Sequence, residues 1–288
     1  MVMSSEKRTR LRAVLAGERC VTAASVWDPV SARVADRLGV EVGLMGGSLA
    51  SFAVLGAPDV ILLTLTELAD QARRACRAGG VALLVDADHG YGNALNVMRT
   101  VEELENVGVA GLTIEDTLLP RAFGAGAKPQ FISPDEGAAK MKAALAARRD
   151  PGLAVLGRTG AASVAGADDA IRRLKAYEEA GVDALMVPGV KSRSELDRIS
   201  ASTRLPLVVG GGGPELADLG YLASRRVRVF SSGHQAFAAA VKAVYDTMKA
   251  VTDGVPVSAL PVAADRELMD WVTRAAEYGK AAKDFLGG

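Results

Sequence analysis

Short apolar runs alternate with amphipathic stretches along most of the chain. CVTAASVW (20–27), EVGLMGG (41–47), VALLVDAD (81–88) and AGLTIED (110–116) read as buried strands. So do LAVLGRT (153–159), DALMVPG (183–189), PLVVGGG (206–212) and VRVFSS (227–232). Between them TELADQARRACRAGG (66–80), NALNVMRTVEELENVG (93–108) and PDEGAAKMKAALAARR (134–149) carry the helical period. ADDAIRRLKAYEEAG (167–181) and HQAFAAAVKAVYDTMKAV (234–251) do the same, and glycine after the last turn stops several of these helices. Near-continuous apolar strands, each followed by a helix, predict parallel strands covered on both faces. Eight such units predict an α/β fold, a (β/α)₈ TIM barrel over residues 18–252. A doubly wound sheet is the structural alternative, but GGSLAS and GGGG lack the GxGxxG spacing.

Past residue 252 the rhythm changes. RELMDWVTRAAEYGKAAKDFL puts Leu268, Trp271, Ala275, Tyr278 and Phe285 roughly on one helical face. This C-terminal extension, 253–288, either packs on its own barrel or docks on a neighbouring subunit. With no linker or low-complexity tract in sight, the 288 residues read as a single domain.

Charge narrows the function. Lys+Arg and Asp+Glu are both 34, so the formal net charge is zero. The basic excess that a nucleic acid or an anionic membrane demands is missing. The opening MVMSSEKRTRLRAVLAG lacks the apolar core of a secretory signal, and no run is long enough to span a bilayer. Cys20 and Cys76 form no metal or redox motif and read as buried, reduced thiols. A cytoplasmic protein is expected.

In a barrel of this kind the chemistry sits at the C-terminal ends of the strands. There the sequence offers Asp28, then Gly46-Gly47-Ser48, then Asp86 and Asp88, Glu115 and Asp116, Arg158 and Thr159, and last His234. Asp86 and Asp88, two apart on a strand, point the same way, and Glu115 arrives from the next strand. Three converging carboxylates repel and take up protons unless a cation holds them together. Oxygen donors without paired histidines suit Mg²⁺, with Mn²⁺ as the alternative. Asp28 before Pro29 reads equally well as a helix cap. Ser48 follows two glycines whose N–H groups could approach an anion, and Asp59 in LGAPDVILLT reads as a turn residue. Arg158, ending an apolar strand, needs an acidic partner: Glu115 or a substrate carboxylate. His234 starts a helix at the same mouth, and His89 reads as a loop-fixing residue. A metal, an arginine and a carboxylate-binding turn point to a small anionic substrate, a 2-oxo acid that chelates Mg²⁺.

SVWDPVSARVADRLGVEVGLMGGSLAS and LVDADHGYGNALNVMRTVEELENVGVAGLTIEDTLLP resemble the isocitrate lyase/phosphoenolpyruvate mutase superfamily. The resemblance covers residues 20–250 and is most specific in DADHGYGN and TIED. GGSLAS, APDVILLT, EDTLLP and SGHQAF resemble its oxaloacetate decarboxylase branch. The resemblance implies Mg²⁺ held directly by Asp86, with Asp59, Asp88 and Glu115 acting largely through water. It implies Ser48, Arg158 and His234 as substrate contacts, with Gly47 beside Ser48, and a homo-oligomer, a dimer of dimers that exchanges its C-terminal helix. The lyase branch carries a Lys-x-Cys-Gly-His loop after the fourth strand, where this chain has LPRAFGAGAKPQF. With no loop cysteine, isocitrate or methylisocitrate cleavage is disfavoured; a C–C lyase or C–P bond enzyme on a related acid and a non-catalytic carboxylate-binding protein are the alternatives. Gly160, where many relatives have asparagine, and the Gly210–Gly213 run remove side chains from the expected mouth and suggest a wider pocket.

The reaction these features imply is Mg²⁺-dependent decarboxylation of oxaloacetate, or a close 2-oxo diacid, to pyruvate and CO₂. Arg158 and the metal would stabilise the enolate, Ser48 and nearby N–H groups would anchor the C1 carboxylate, and His234 would orient the leaving carboxylate or protonate the enolate.

Overall fold

A computed structural model describes residues 2–126, 128–260 and 264–287. The chain divides into two compact units, one ending at Gly233 and one beginning at His234.

The first unit is a parallel barrel. Its strands are β1 (Val21–Thr22), β2 (Ala24–Ser25), β3 (Val42–Met45), β4 (Ala82–Asp86), β5 (Gly111–Glu115), β6 (Ala154–Arg158), β7 (Ala184–Pro188), β8 (Leu207–Gly210) and β9 (Val227–Ser231). They run in the order β1-β9-β8-β7-β6-β5-β4-β3-β2, every pairing parallel. The two edges belong to one stretch of chain. β1 pairs with β9 and β2 with β3, and only Ala23 separates them. Ala23 N donates to Phe230 O (2.8 Å), and Val26 N to Leu44 O (3.0 Å). The first expected strand thus splits in two, each half bonding a different neighbour, and this closes the ring.

Helices α1 (Val2–Ala16), α2 (Pro29–Arg37), α3 (Gly47–Leu55), α4 (Leu65–Ala78), α5 (Ala94–Val107), α6 (Pro134–Ala147), α7 (Ala161–Val164), α8 (Ala167–Ala180), α9 (Arg193–Ala201) and α10 (Leu219–Ser224) accompany the strands. Alternation along the strands makes two apolar layers. Leu44, Leu84, Leu156, Met186, Val208 and Val229 fill the interior. Leu83, Val85, Leu112, Ile114 and Val155 face outward into a second layer with Val101, Leu104, Met141 and Leu174 of the helices.

The helix α1 was not anticipated from the sequence. Its Leu11, Val14 and Leu15 join the interior layer. Its cations bind the helix ends and loops that lead into the strands. Arg8 donates to Val109 O (3.1 Å) and Glu105 O (2.7 Å) and pairs with Asp150, and Lys7 donates to Cys76 O (2.5 Å). Arg12 donates to Leu153 O (2.8 Å) and pairs with Asp183 at 2.6 Å. The N-terminal end of the barrel is therefore covered, and the opposite end carries the polar strand termini.

The second unit holds α11 (Gln235–Thr252), α12 (Arg266–Thr273) and α13 (Ala275–Leu286). The single helix expected over the tail is two helices. Arg274 takes a left-handed φ of 60° and ends α12, so Leu268 and Trp271 do not continue one face with Ala275, Tyr278 and Phe285. No helix among the described residues is long and apolar enough to cross a membrane.

Candidate active site

β4, β5 and β6 lie side by side, and on their inward phase the interior ends in charge. Leu84 is followed by Asp86, Thr113 by Glu115, and Leu156 by Arg158. Register places Asp86 opposite Thr113 and Glu115 opposite Arg158. Asp116 falls on the other phase. Fully buried, it accepts hydrogen bonds from Tyr177 Oη (2.6 Å) and Arg173 Nη1 (3.1 Å) of α8. Glu115 and Asp116, adjacent in sequence, therefore serve opposite faces of the strand.

Arg158 Nη1 donates to Asp86 Oδ2, and its Nε lies 3.3 Å from Glu115 Oε2, out of line for a hydrogen bond. Asp86 also accepts from Thr113 Oγ1 (3.0 Å), Asp88 N (3.2 Å) and Gly47 N (3.3 Å). Gly47 opens α3 against this cluster. A Cβ there would stand 2.4 Å from Asp88 Oδ1, so a side chain at this position would push the Asp88 carboxylate out of place. Ser48, the next residue, is half-buried in the first turn of α3.

Asp88 reaches the cluster by a different route from the one expected. β4 ends at Asp86, and Asp88 has a left-handed φ of 48°, so strand alternation does not aim its side chain. A main-chain turn does: Asp88 N bonds Asp86, and Asp88 O accepts from Glu115 N at 2.8 Å.

The charges are unevenly compensated. Burial favours the proton on Asp86, but Arg158 and the donors around it outweigh burial and hold that carboxyl below its usual range. Asp88 moves well above the range through burial and then through the Asp86 and Glu115 charges. Burial raises Glu115 in the same way against the pull of Arg158. Asp59 is raised by burial of its carboxyl and by Asp86. Burial opposes the charge of Arg158, yet Asp86, Glu115 and Asp88 more than restore it, so the guanidinium stays protonated.

A cavity of about 150 Å³ opens beside these groups. Asp59, Asp88, Glu115 and Arg158 line it, with Arg121 and Gln130 from the connection after β5. The structure thus gathers Asp59, Asp86, Asp88, Glu115 and Arg158, with Gly47 touching Asp86. His234 stands at the N-terminal boundary of α11 in the second unit, without a side-chain capping bond. Asp28 caps α2, with Ser31 N donating to its Oδ1 at 2.7 Å. His89 is buried, and its carbonyl accepts from Lys140 Nζ at 2.9 Å, as a loop-fixing residue does. Sequence reasoning missed Thr113, Arg121 and Gln130. Thr113 was signalled by its place two residues before Glu115 on one strand face; the other two carried no periodic signal.

The first cation the carboxylates meet is Arg158. Among the described residues, no three acidic, histidine or cysteine side chains are grouped to ligate an ion by themselves. The donor chemistry nonetheless fits a hard divalent cation that keeps part of its water shell. All candidate donors are oxygens, and Asp59, Asp88 and Glu115 are each pushed towards protonation, a burden one guanidinium does not lift.

The glycines expected to widen the mouth divide into two kinds. Gly160 and Gly210 have room for a side chain, the nearest atoms to an added Cβ being 3.9 and 3.8 Å away. Gly211 and Gly212 have φ of 69° and 132°, so the backbone itself requires glycine there.

Comparison with known proteins assigns the chain to a family. The phosphoenolpyruvate phosphomutase family profile matches residues 11–252. An oxaloacetate decarboxylase of Rhodopseudomonas palustris (strain BisB18) is 56% identical, covering 98% of this chain and 97% of that protein. The crystal structure of a phosphoenolpyruvate phosphomutase from Streptomyces platensis subsp. rosaceus superposes with a TM-score of 0.87 at 30% identity, over 97% of this chain and 99% of that one. A phosphonopyruvate hydrolase in complex with oxalate and Mg²⁺ superposes at 0.85 with 27% identity, over the same shares. The chain belongs to the phosphoenolpyruvate phosphomutase family, within the isocitrate lyase/phosphoenolpyruvate mutase superfamily.

Proposed function

We propose that this protein decarboxylates oxaloacetate, or a close 2-oxo diacid, to pyruvate and CO₂. The observation that carries the reading is the Arg158 guanidinium fixed between Asp86 and Glu115 at the mouth of a barrel whose relatives are named for this reaction. The cleaved bond is C3–C4. Its electron pair passes into C2–C3 and onto the keto oxygen as C4 leaves as CO₂, and C3 then takes a proton to give pyruvate. Arg158, already oriented by two carboxylates, offers positive charge to the developing enolate without reorganising. Ser48 and the Gly47 N–H anchor the C1 carboxylate, and His234 orients the C4 carboxylate or delivers the proton to C3. Mg²⁺, or Mn²⁺ in its place, held by Asp86 directly and by Asp59, Asp88 and Glu115 through water, would supply Lewis acidity at the keto oxygen.

Cys20 and Cys76 are buried outside the loop after β5, which supports decarboxylation over cysteine-dependent C–C cleavage. A substrate panel tests the assignment. Oxaloacetate, phosphonopyruvate and isocitrate are incubated in turn with the protein and Mg²⁺, and products are read by NMR. Pyruvate from oxaloacetate alone is the expected result; phosphate released from phosphonopyruvate at a comparable rate would overturn it.

The second unit supports a homo-oligomer. Val241, Val244, Tyr245 and Met248 of α11 and Tyr278 and Phe285 of α13 are all exposed, and exposed apolar side chains gathered on helices are the kind of surface that association covers. A second copy of the chain is its natural cover, and light scattering reads the mass.

A further inference from the structure

We propose that Arg121 recognises the distal carboxylate of the substrate and so selects diacids over monoacids; the inference rests on the decarboxylase reading above. The cavity presents Asp59, Asp88 and Glu115, a wall that repels a dianion. Arg158 is committed to Asp86 and Glu115. The other cation on the lining is Arg121, which is exposed and makes no hydrogen bond or ion pair among the described residues, although three carboxylates border the same space.

Its location is set by the base of its own connection. Leu118 N donates to Gln130 O (2.7 Å), Thr117 bridges Phe131, and Ile132 N donates to Asp116 O (2.9 Å). Arg121 follows three residues after the paired Leu118, at the rim.

The chemistry dictates how such a contact shows itself. The carboxylate that leaves as CO₂ loses its charge on the way. A cation paired with it stabilises bound substrate and contributes nothing once the bond has broken. A buried, tightly bonded arginine there would hold the ground state back. An exposed one captures the diacid and releases it. Loss of Arg121 therefore raises KM and weakens selectivity without lowering kcat.

The test uses full-length protein with Mg²⁺, as wild type, Arg121→Met and Arg121→Lys. KM and kcat for oxaloacetate are measured. Calorimetry measures the binding of 2-oxoglutarate and 2-oxovalerate, which differ only in the distal carboxylate. Arg121→Met is expected to raise KM and to weaken 2-oxoglutarate about tenfold, with kcat not lowered and 2-oxovalerate unchanged. Arg121→Lys recovers most of the loss. Equal weakening of both ligands, no weakening of either, or a fall in kcat at constant KM would overturn the assignment. Failure of wild type to release pyruvate would sink the decarboxylase reading instead, while the calorimetric pair still reports on Arg121.

Discussion

Arg158, at the end of β6, crosses β5 to bond Asp86 on β4 and passes 3.3 Å from Glu115 on the way. One guanidinium thus ties together the ends of three strands and serves as the first counter-charge for the acidic cluster. Arg158→Gln should lower turnover at least about 100-fold, since a positioned cation facing the enolate is lost. The metal-free variant should be destabilised by about 3–5 kcal/mol, because buried carboxylates are left unpaired. Mg²⁺ should restore much of that stability. Denaturant melts with and without Mg²⁺ check it; a variant equally stable in both, or fully active, would contradict the account.

His89 supplies a pH dependence. Burial, with Lys140 nearby adding to it, pushes its imidazole down to about 4 from an ordinary value of 6.5. Between those values the unfolded chain binds a proton that the folded chain refuses. The stability this confers is complete above pH 6.5 and is lost as pH falls towards 4. His89→Asn should flatten that limb. The readout is the difference between the unfolding free energies of the two proteins across this window, which removes the opposing contribution of Asp88 and Glu115. A difference that does not change with pH would refute it.

Behind the site, Tyr177 donates to Asp116 at 2.6 Å while Arg173 bonds both Asp116 and the carbonyl of Ile132 (2.7 Å). This anchors the strand end carrying Glu115 and the base of the connection bearing Arg121. Tyr177→Phe should cost about 1–3 kcal/mol, the range for leaving a buried acceptor short of a donor. Chemical denaturation measures it, and an unchanged midpoint would contradict the account.

The barrel was legible because each strand is an apolar run and each run ends in a change of chemistry. Val81–Val85 then Asp86, and Leu153–Leu156 then Arg158, announce both the strand and its functional end. The split of the first strand was hidden, since closure depends on a register between residues about 200 apart in sequence. The α1 cover was hidden for another reason. Lys7, Arg8 and Arg12 find their acceptors in main-chain carbonyls about 70 to 140 residues away, a pairing that local periodicity does not encode. At the site, composition gave the acids, but the left-handed turn at Asp88 and the fit of Gly47 against it are backbone facts that side-chain periodicity does not encode.

The most direct test is pyruvate release from oxaloacetate at neutral pH, coupled to lactate dehydrogenase. It is run with Mg²⁺, with EDTA, and with Asp86→Ala, against a protein-free Mg²⁺ control that measures spontaneous decarboxylation. Asp86 carries the Arg158, Thr113 and Gly47 contacts together, so its removal dismantles the cluster. Protein-dependent pyruvate that disappears with EDTA and with Asp86→Ala is the predicted result. A rate with Mg²⁺ no higher than the protein-free control would contradict the account.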